Sequence, residues 1–353
     1  MRRAFLLIAA AAVGFVASSP QLTGAAGVVG SGTPESCTEA AFLDAFDGGG
    51  DVTFDCGAAP HTIALAEFQE VAIDTSIDGG GLITLSGANA SPFFRVGGGV
   101  VMQIDGLTLT RGLGSFGAIE NLGTLIIQDS RIEECNAVGA EHGTITNYAN
   151  LTILGVTFAE NTSAYSGGAI FSYGGTVDIA ESTFIENSTP GPELHNGGAI
   201  SGFFFANILV EDSTFTGNFS TDGGAIAFDG VGTVTNVDFV GNQARETGGG
   251  ASDYYGGALL LGPTADVEIT DSHFEGNEAA DDGGAIANDA GVLVVERSRF
   301  TQNEPTAAVP STTAEKHESP KARSTATPPA STVRRSCTAV ASAAASSVSR
   351  TAR

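Results

Sequence analysis

The chain has 353 residues, with 40 acidic and 15 basic side chains, a formal charge of −25, 48 glycines, 21 phenylalanines and no tryptophan. The charge is unevenly placed: residues 19–303 hold six arginines, no lysine and 37 acids, which leaves that body at −31. A surface this acidic repels phosphate backbones, so nucleic acid is excluded as a partner.

Residues 1–18 open with two arginines, run through an apolar stretch from residue 4 to residue 17 and exit into Ser18 and Ser19. The stretch is shorter than the ~18 residues a spanning helix needs, so it predicts a secretory signal peptide. A second small-residue exit near Ala26 leaves two cleavage positions. No transmembrane segment is expected once it is removed.

Residues 31–60 read as an N-terminal cap. Ser36 and Glu39 have the spacing of a capping box for a short helix over Glu39–Phe46, followed by three glycines and a strand over 52–54. Export favours a Cys37–Cys56 disulfide, against two buried free thiols. Such a unit would shield the unpaired strand edges of whatever follows it.

From residue 61 to 303 the chain is repetitive. Gly-Gly-Ala-Ile stands at 167–170, 197–200, 223–226 and 283–286, with Gly-Gly-Ala-Leu at 256–259. Phe-x-x-Asn alternates with it: Phe158/Asn161, Phe184/Asn187, Phe215/Asn218, Phe239/Asn242, Phe274/Asn277 and Phe300/Asn303. Counting Ile132 as the first, the steps are 26, 26, 31, 24, 35 and 26 residues. A period of this size means a solenoid. Stretches such as Thr176-Val-Asp-Ile alternate with period two and are rich in β-branched residues, which predicts short strands and leaves no room for helices.

The expected fold is all-β: a right-handed, single-stranded parallel β-helix of about nine coils and three strands per unit, with a short N-terminal helical cap and a disordered C-terminal tail. In that geometry Phe158, Phe184, Phe215, Phe239, Phe274 and Phe300 form an internal stack. Asn161, Asn187, Asn218, Asn242, Asn277 and Asn303 form an amide ladder at a bend. Three Asn-x-Ser/Thr sequons, at Asn161, Asn187 and Asn218, fall on that ladder, so they are not read as glycan sites. Cys135 occupies an Asn slot and reads as an inert buried thiol.

These motifs resemble the polymorphic outer-membrane protein repeat family, whose hallmark pairs Gly-Gly-Ala-Ile with Phe-x-x-Asn. The resemblance covers residues 143–303; over 61–142 only degenerate forms survive, such as Gly117-Ala-Ile-Glu-Asn121 and Ile132-Glu-Glu-Cys135. It implies an exported β-helix, non-catalytic and adhesin-like, secreted or displayed at the cell surface or outer membrane. The implied partner is an unidentified surface or carbohydrate ligand, without cofactor or metal.

Parallel β-helices of the pectin-lyase kind also carry enzymes, so the alternative is a carbohydrate-active lyase or hydrolase. Its candidate groups are Asp105, Arg111, Asp129, Arg131, Glu133 and Glu134, which one coil of separation would bring to a common face. Divalent cations would be sought at Asp222 and at Asp281-Asp282, although neither has the ligand spacing of a calcium loop. Two insertions, 188–196 and 243–255, are the expected places for partner recognition.

After Asn303 the composition changes. Residues 304–353 lack glycine, are rich in Pro, Ser, Thr and Ala, and carry seven of the fifteen basic residues. A low-complexity disordered segment is expected. Read in a shifted frame, the same codons permit Gly-Gly-Ala-Val-Tyr-Asn across 307–313 and Glu-Ser-Thr-Phe-Asp-Gly-Asn across 320–327. A slip of reading frame near Pro305 is therefore a further expectation.

Overall fold

The computed structural model describes residues 27–139, 142–190, 197–204, 206–245, 255–305 and 338–340. The signal segment and nearly all of the tail lie outside them. Through the described residues the chain winds about ten turns of a parallel β-solenoid. The count exceeds the expected nine because the cap region already pairs in parallel, Gly27–Gly30 with Gly50–Asp55 and Gly50–Asp55 in turn with Thr75–Ser86.

Each regular turn contains four strand segments, one more than expected, arranged in three sheets. One turn reads Ile170–Tyr173 in the second sheet, Thr176–Ala180 and Thr183–Ile185 in two adjacent rows of the first sheet, then a single bridging residue, Ser188. In other turns the fourth segment is a two-residue strand of the third sheet, such as Thr162–Ser163 or Phe219–Ser220. The extra segment arises at a corner. In the early turns one long strand, Thr75–Ser86 or Val101–Thr110, serves both rows of the first sheet. The corner is left-handed throughout: Gly106, within Val101–Thr110, has φ of 58°, and in later turns, where the strand is interrupted there, Asp129, Glu181, Asp212, Asn236, Asp271 and Arg297 have φ of 43°, 52°, 46°, 54°, 51° and 49°. A second left-handed column falls just before each ladder asparagine, as at Glu160 (54°), Glu186 (52°) and Gly217 (63°).

Alternation sets the core. Along Leu151, Ile153, Val177, Ile179, Ile208 and Val210 every second side chain points inward and is buried, while the intervening residues face solvent. The register is one residue to one residue between turns, Val177 to Ile208 to Gly232, so like side chains stack. Gly232 leaves a gap in this row, and the buried ring of Phe228 fills it: a Cβ on Gly232 would lie 2.7 Å from Phe228.

The second glycine of each Gly-Gly motif is imposed by the approach of neighbouring turns. A Cβ on Gly168, Gly198, Gly224 or Gly257 would lie 2.3, 2.2, 2.2 or 2.0 Å from the carbonyl oxygen of the next turn's glycine. No side chain fits there.

At the N-terminal end the helix Glu39–Phe46 turns Phe42 and Phe46 inward over the first strands. Its N-cap is Thr38, whose Oγ1 accepts the Ala41 N–H at 3.2 Å, and not Ser36. Ser36 instead belongs to a 3-10 turn and accepts the Ser31 N–H. Glu39 reaches outward to accept the N–H of Ala66 at 2.6 Å, tying the cap to the next turn. The Cys37–Cys56 disulfide is formed. Beyond the solenoid, the backbone of Thr338–Val340 runs antiparallel to Ile286–Asn288.

Candidate recognition face

The recurring residues occupy the interior and its corners. Phe158, Phe184, Phe215, Phe239, Phe274 and Phe300 follow one another with ring centroids 4.8, 4.5, 5.1, 4.7 and 4.8 Å apart and near-parallel planes. The first five are fully buried, and Phe300, on the last turn, is partly covered. The asparagines form a continuous chain: each side-chain Nδ2 donates to the Oδ1 of the next, at 2.9 to 3.0 Å from Asn161 through Asn303. Each Nδ2 also donates back to the carbonyl of an earlier turn, as Asn187 does to Phe158. All six are buried. Cys135 stands in this column, where its N–H donates to Asn161 Oδ1. Burial pushes its thiol up to about 12, so it holds its proton at neutral pH.

A second polar column went unassigned from sequence. Ser130, Ser182, Ser213, Ser272 and Ser298 each donate to the carbonyl two residues back and accept an N–H from the preceding turn. The signal was present, since Ser precedes Phe by two residues in four of these turns, but its task depends on the left-handed corner beside it.

The groups weighed for catalysis are dispersed. Asp105 lies in register with Asp78 and Gln128, and burial raises its carboxyl above the ordinary value, with the charges of Asp78 and Asp129 adding to the effect. Arg131 pairs with Glu133 on its own strand. Arg111 and Glu134 occupy the left-handed column at the far end of that strand, with φ of 55° and 53°. The six residues are thus spread over both strand rows of the first sheet and two corners. Asp222 is buried and accepts the Tyr255 N–H of the next turn at 2.9 Å. Among the described residues no group of three or more His, Cys, Asp or Glu is placed to hold a metal ion.

Outward columns vary from turn to turn in both large sheets; in the first sheet the column reads Gln103, Ile126, Thr152, Asp178, Leu209, Thr233, Glu268 and Val294. In the second sheet the column outside the core reads, in register, Glu70, Arg95, Glu120, Thr146, Phe171, Ser201, Ala227, Leu260 and Ala287, and from Glu120 onward these residues are buried, so what this face exposes are the rings beside the column. Three zones follow along the rod. In the first, Arg95 Nε lies 2.9 Å from Glu120 Oε2 on the floor of a cleft of about 340 Å³. Phe68 and Phe116 also line this cleft, each 49% exposed, and the imidazole of His142 meets the Phe116 ring edge-on at 5.0 Å. Burial raises the Glu120 carboxyl, although Arg95 opposes the shift.

The middle zone is aromatic. Tyr173 lies 6.1 Å from Tyr148 and 4.1 Å from Phe204, and Phe171 lies 6.3 Å from Phe203. In the third zone Ala227, Leu260 and Ala287 form an apolar cluster separate from the main core, with Tyr255 packed against it. Both insertions precede second-sheet strands in the chain, ahead of Gly197 and Gly256; their parts at 191–196 and 246–254 lie outside the described residues.

A rod of stacked parallel turns, with one Phe and one Asn per turn in its interior columns, defines a β-solenoid repeat protein. Three segments, 155–173, 212–229 and 271–289, match the Chlamydia polymorphic membrane protein repeat, and each contains one Phe-x-x-Asn and one Gly-Gly-Ala-Ile. The chain therefore carries this family's repeat. No curated protein and no solved structure matches the chain. Among the described residues no helix is long and apolar enough to cross a membrane.

Proposed function

We propose that the chain is a non-catalytic, surface-displayed or secreted rod, an adhesin-like passenger whose recognition chemistry lies on the outer face of the second sheet. The repeat match supports placement at the outer membrane or cell surface. The acidic, lysine-free body supports a soluble rod exposed to the medium. The observation that carries the recognition part is the contrast in side chains. The interior columns repeat their Phe and Asn and bury them, while along the second sheet the rings of Phe68, Phe116, Tyr173 and Phe204 stay exposed.

The test is protease shaving of intact cells that express the full chain, with an antibody to the repeats as readout, followed by binding of the purified chain to host-type cell surfaces. Loss of the antigen on shaving, with saturable cell binding, is the expected result. An antigen protected until the cells are lysed would reject surface display, and binding that never saturates would reject adhesion.

A further inference from the structure

We infer that the cleft between Phe68 and Phe116, floored by Arg95 and Glu120, binds a neutral saccharide; this rests on reading the second sheet's outer face as the recognition surface. The cleft has the construction of a ligand site: concave, largely apolar, with few and convergent polar groups. Its rings, Phe68 and Phe116, remain about half exposed, unlike the buried rings of the interior Phe stack. Gly114, Ser115 and Gly117 edge it, so no large side chain closes the opening.

The floor selects the ligand. Glu120 is 8% exposed, and Arg95 Nε lies 2.9 Å from its Oε2 and is itself shut off from solvent, while the Arg95 side chain as a whole is 41% exposed and carries the remaining guanidinium N–H donors. A donor and an acceptor therefore lie side by side, each with capacity left. Adjacent hydroxyls satisfy both at once, since a hydroxyl donates and accepts. The C–H face of a sugar ring then rests against a phenyl ring.

Other ligand classes fit less well. An anion would meet Glu120, the neighbouring Glu70 and a body charge of −31. A cation would be drawn by Glu120 and Glu70, but it would have to displace the Arg95 guanidinium already paired with Glu120. A wholly apolar ligand would desolvate the ion pair and offer it no hydrogen bond. The same face continues along the rod to Tyr148, Tyr173 and Phe204 on the following turns, each turn advancing by ~4.8 Å. A saccharide chain laid along the axis would leave the cleft onto these rings.

The experiment is saturation-transfer NMR and calorimetry on the full chain, with cellohexaose, chitohexaose and mannohexaose as neutral probes and hexagalacturonate as the acidic one. Transfer from phenylalanine ring protons to a neutral probe is expected. Phe68→Ala and Phe116→Ala should each weaken that binding at least ~10-fold with unchanged melting curves. Glu120→Gln, which keeps the shape and loses the charge, should weaken it less than either ring deletion. Binding to no neutral probe, preference for the acidic probe, or full binding by both Phe variants would overturn the inference. The surface reading fails separately: a chain exposed on cells that binds no probe removes only the saccharide, and a chain retained inside cells that still binds removes only the display.

Discussion

The inside of this solenoid and the outer face of its second sheet are built from the same turns but follow opposite rules. In the interior, from Phe158 to Phe300 and from Asn161 to Asn303, one residue type recurs at each step. On the outer face no two successive turns carry the same residue between Glu70 and Ala287. Stacking explains the first rule, because a ring or amide in a column is satisfied best by a copy of itself one strand spacing away. The second rule, which the first sheet's outward column from Gln103 to Val294 also follows, shows where the periodic demand lapses, and the exposed rings of Phe68, Phe116, Tyr173 and Phe204 are what set the second sheet apart.

The contrast can be broken most forcefully at the stack. Phe184→Ala removes a fully buried ring held between Phe158 and Phe215, and should destabilise by ~3–5 kcal/mol in equilibrium urea denaturation. An unchanged midpoint would deny the stack its role. Removing the Cys37–Cys56 bridge, which closes a loop of 19 residues, should cost ~3 kcal/mol. That loss should be local: hydrogen exchange should speed up along Gly50–Asp55 and stay unchanged along Ile200–Phe203. Uniform acceleration would make the cap integral to the whole rod.

Asn218→Ala strips the ladder of one member and leaves the side-chain donor of Asn187 and the carbonyl of Phe184 without their partner. A loss of ~1–3 kcal/mol is expected from thermal or urea unfolding. Glu120 sharpens the other side of the comparison. Its carboxyl is raised by burial, against the pull of Arg95, so between its ordinary and its folded value the folded chain binds more protons than the unfolded one. Stability from this group therefore falls as pH rises through that window and recovers on acidification toward 4.5, its ordinary value. Melting curves of the parent and of Glu120→Gln should diverge at neutral pH and converge at the acidic end; a constant difference would refute the shift. The smallest effect belongs to Phe116→Ala, where a half-exposed ring should change stability by less than ~0.5 kcal/mol. A loss comparable to that at Phe184 would move Phe116 from recognition to structure.

The fold class was legible because the interior columns repeat their demand at every turn, so a reader of Phe158, Phe184 and Phe215 sees the period before any geometry. The four-segment turn was harder to see. Its added corner is marked by Asp129, Glu181 or Asn236, and residues of such different kinds share a backbone angle and no side-chain signature. The helix cap misled for a local reason: Ser36 and Thr38 are both able to cap, and the 3-10 turn claims Ser36 first. The cleft was the least visible feature. Phe68, Arg95, Phe116 and Glu120 are brought together only by winding, from the stretch where the repeat motifs are most degenerate, and nothing in their spacing announces a pair.

The asparagine ladder also gives the rod a direction under load. Every amide donates toward the C-terminal neighbour and every Oδ1 is claimed by the turn before it, so each turn finishes the bonding of its predecessor. Pulled by its C-terminal end, such a molecule should peel one turn at a time, giving a sawtooth of small, similar rupture events with a contour step of one repeat. Run backwards, the same order lets the rod grow one turn at a time, each new turn supplying the Oδ1 that the outermost amide lacks.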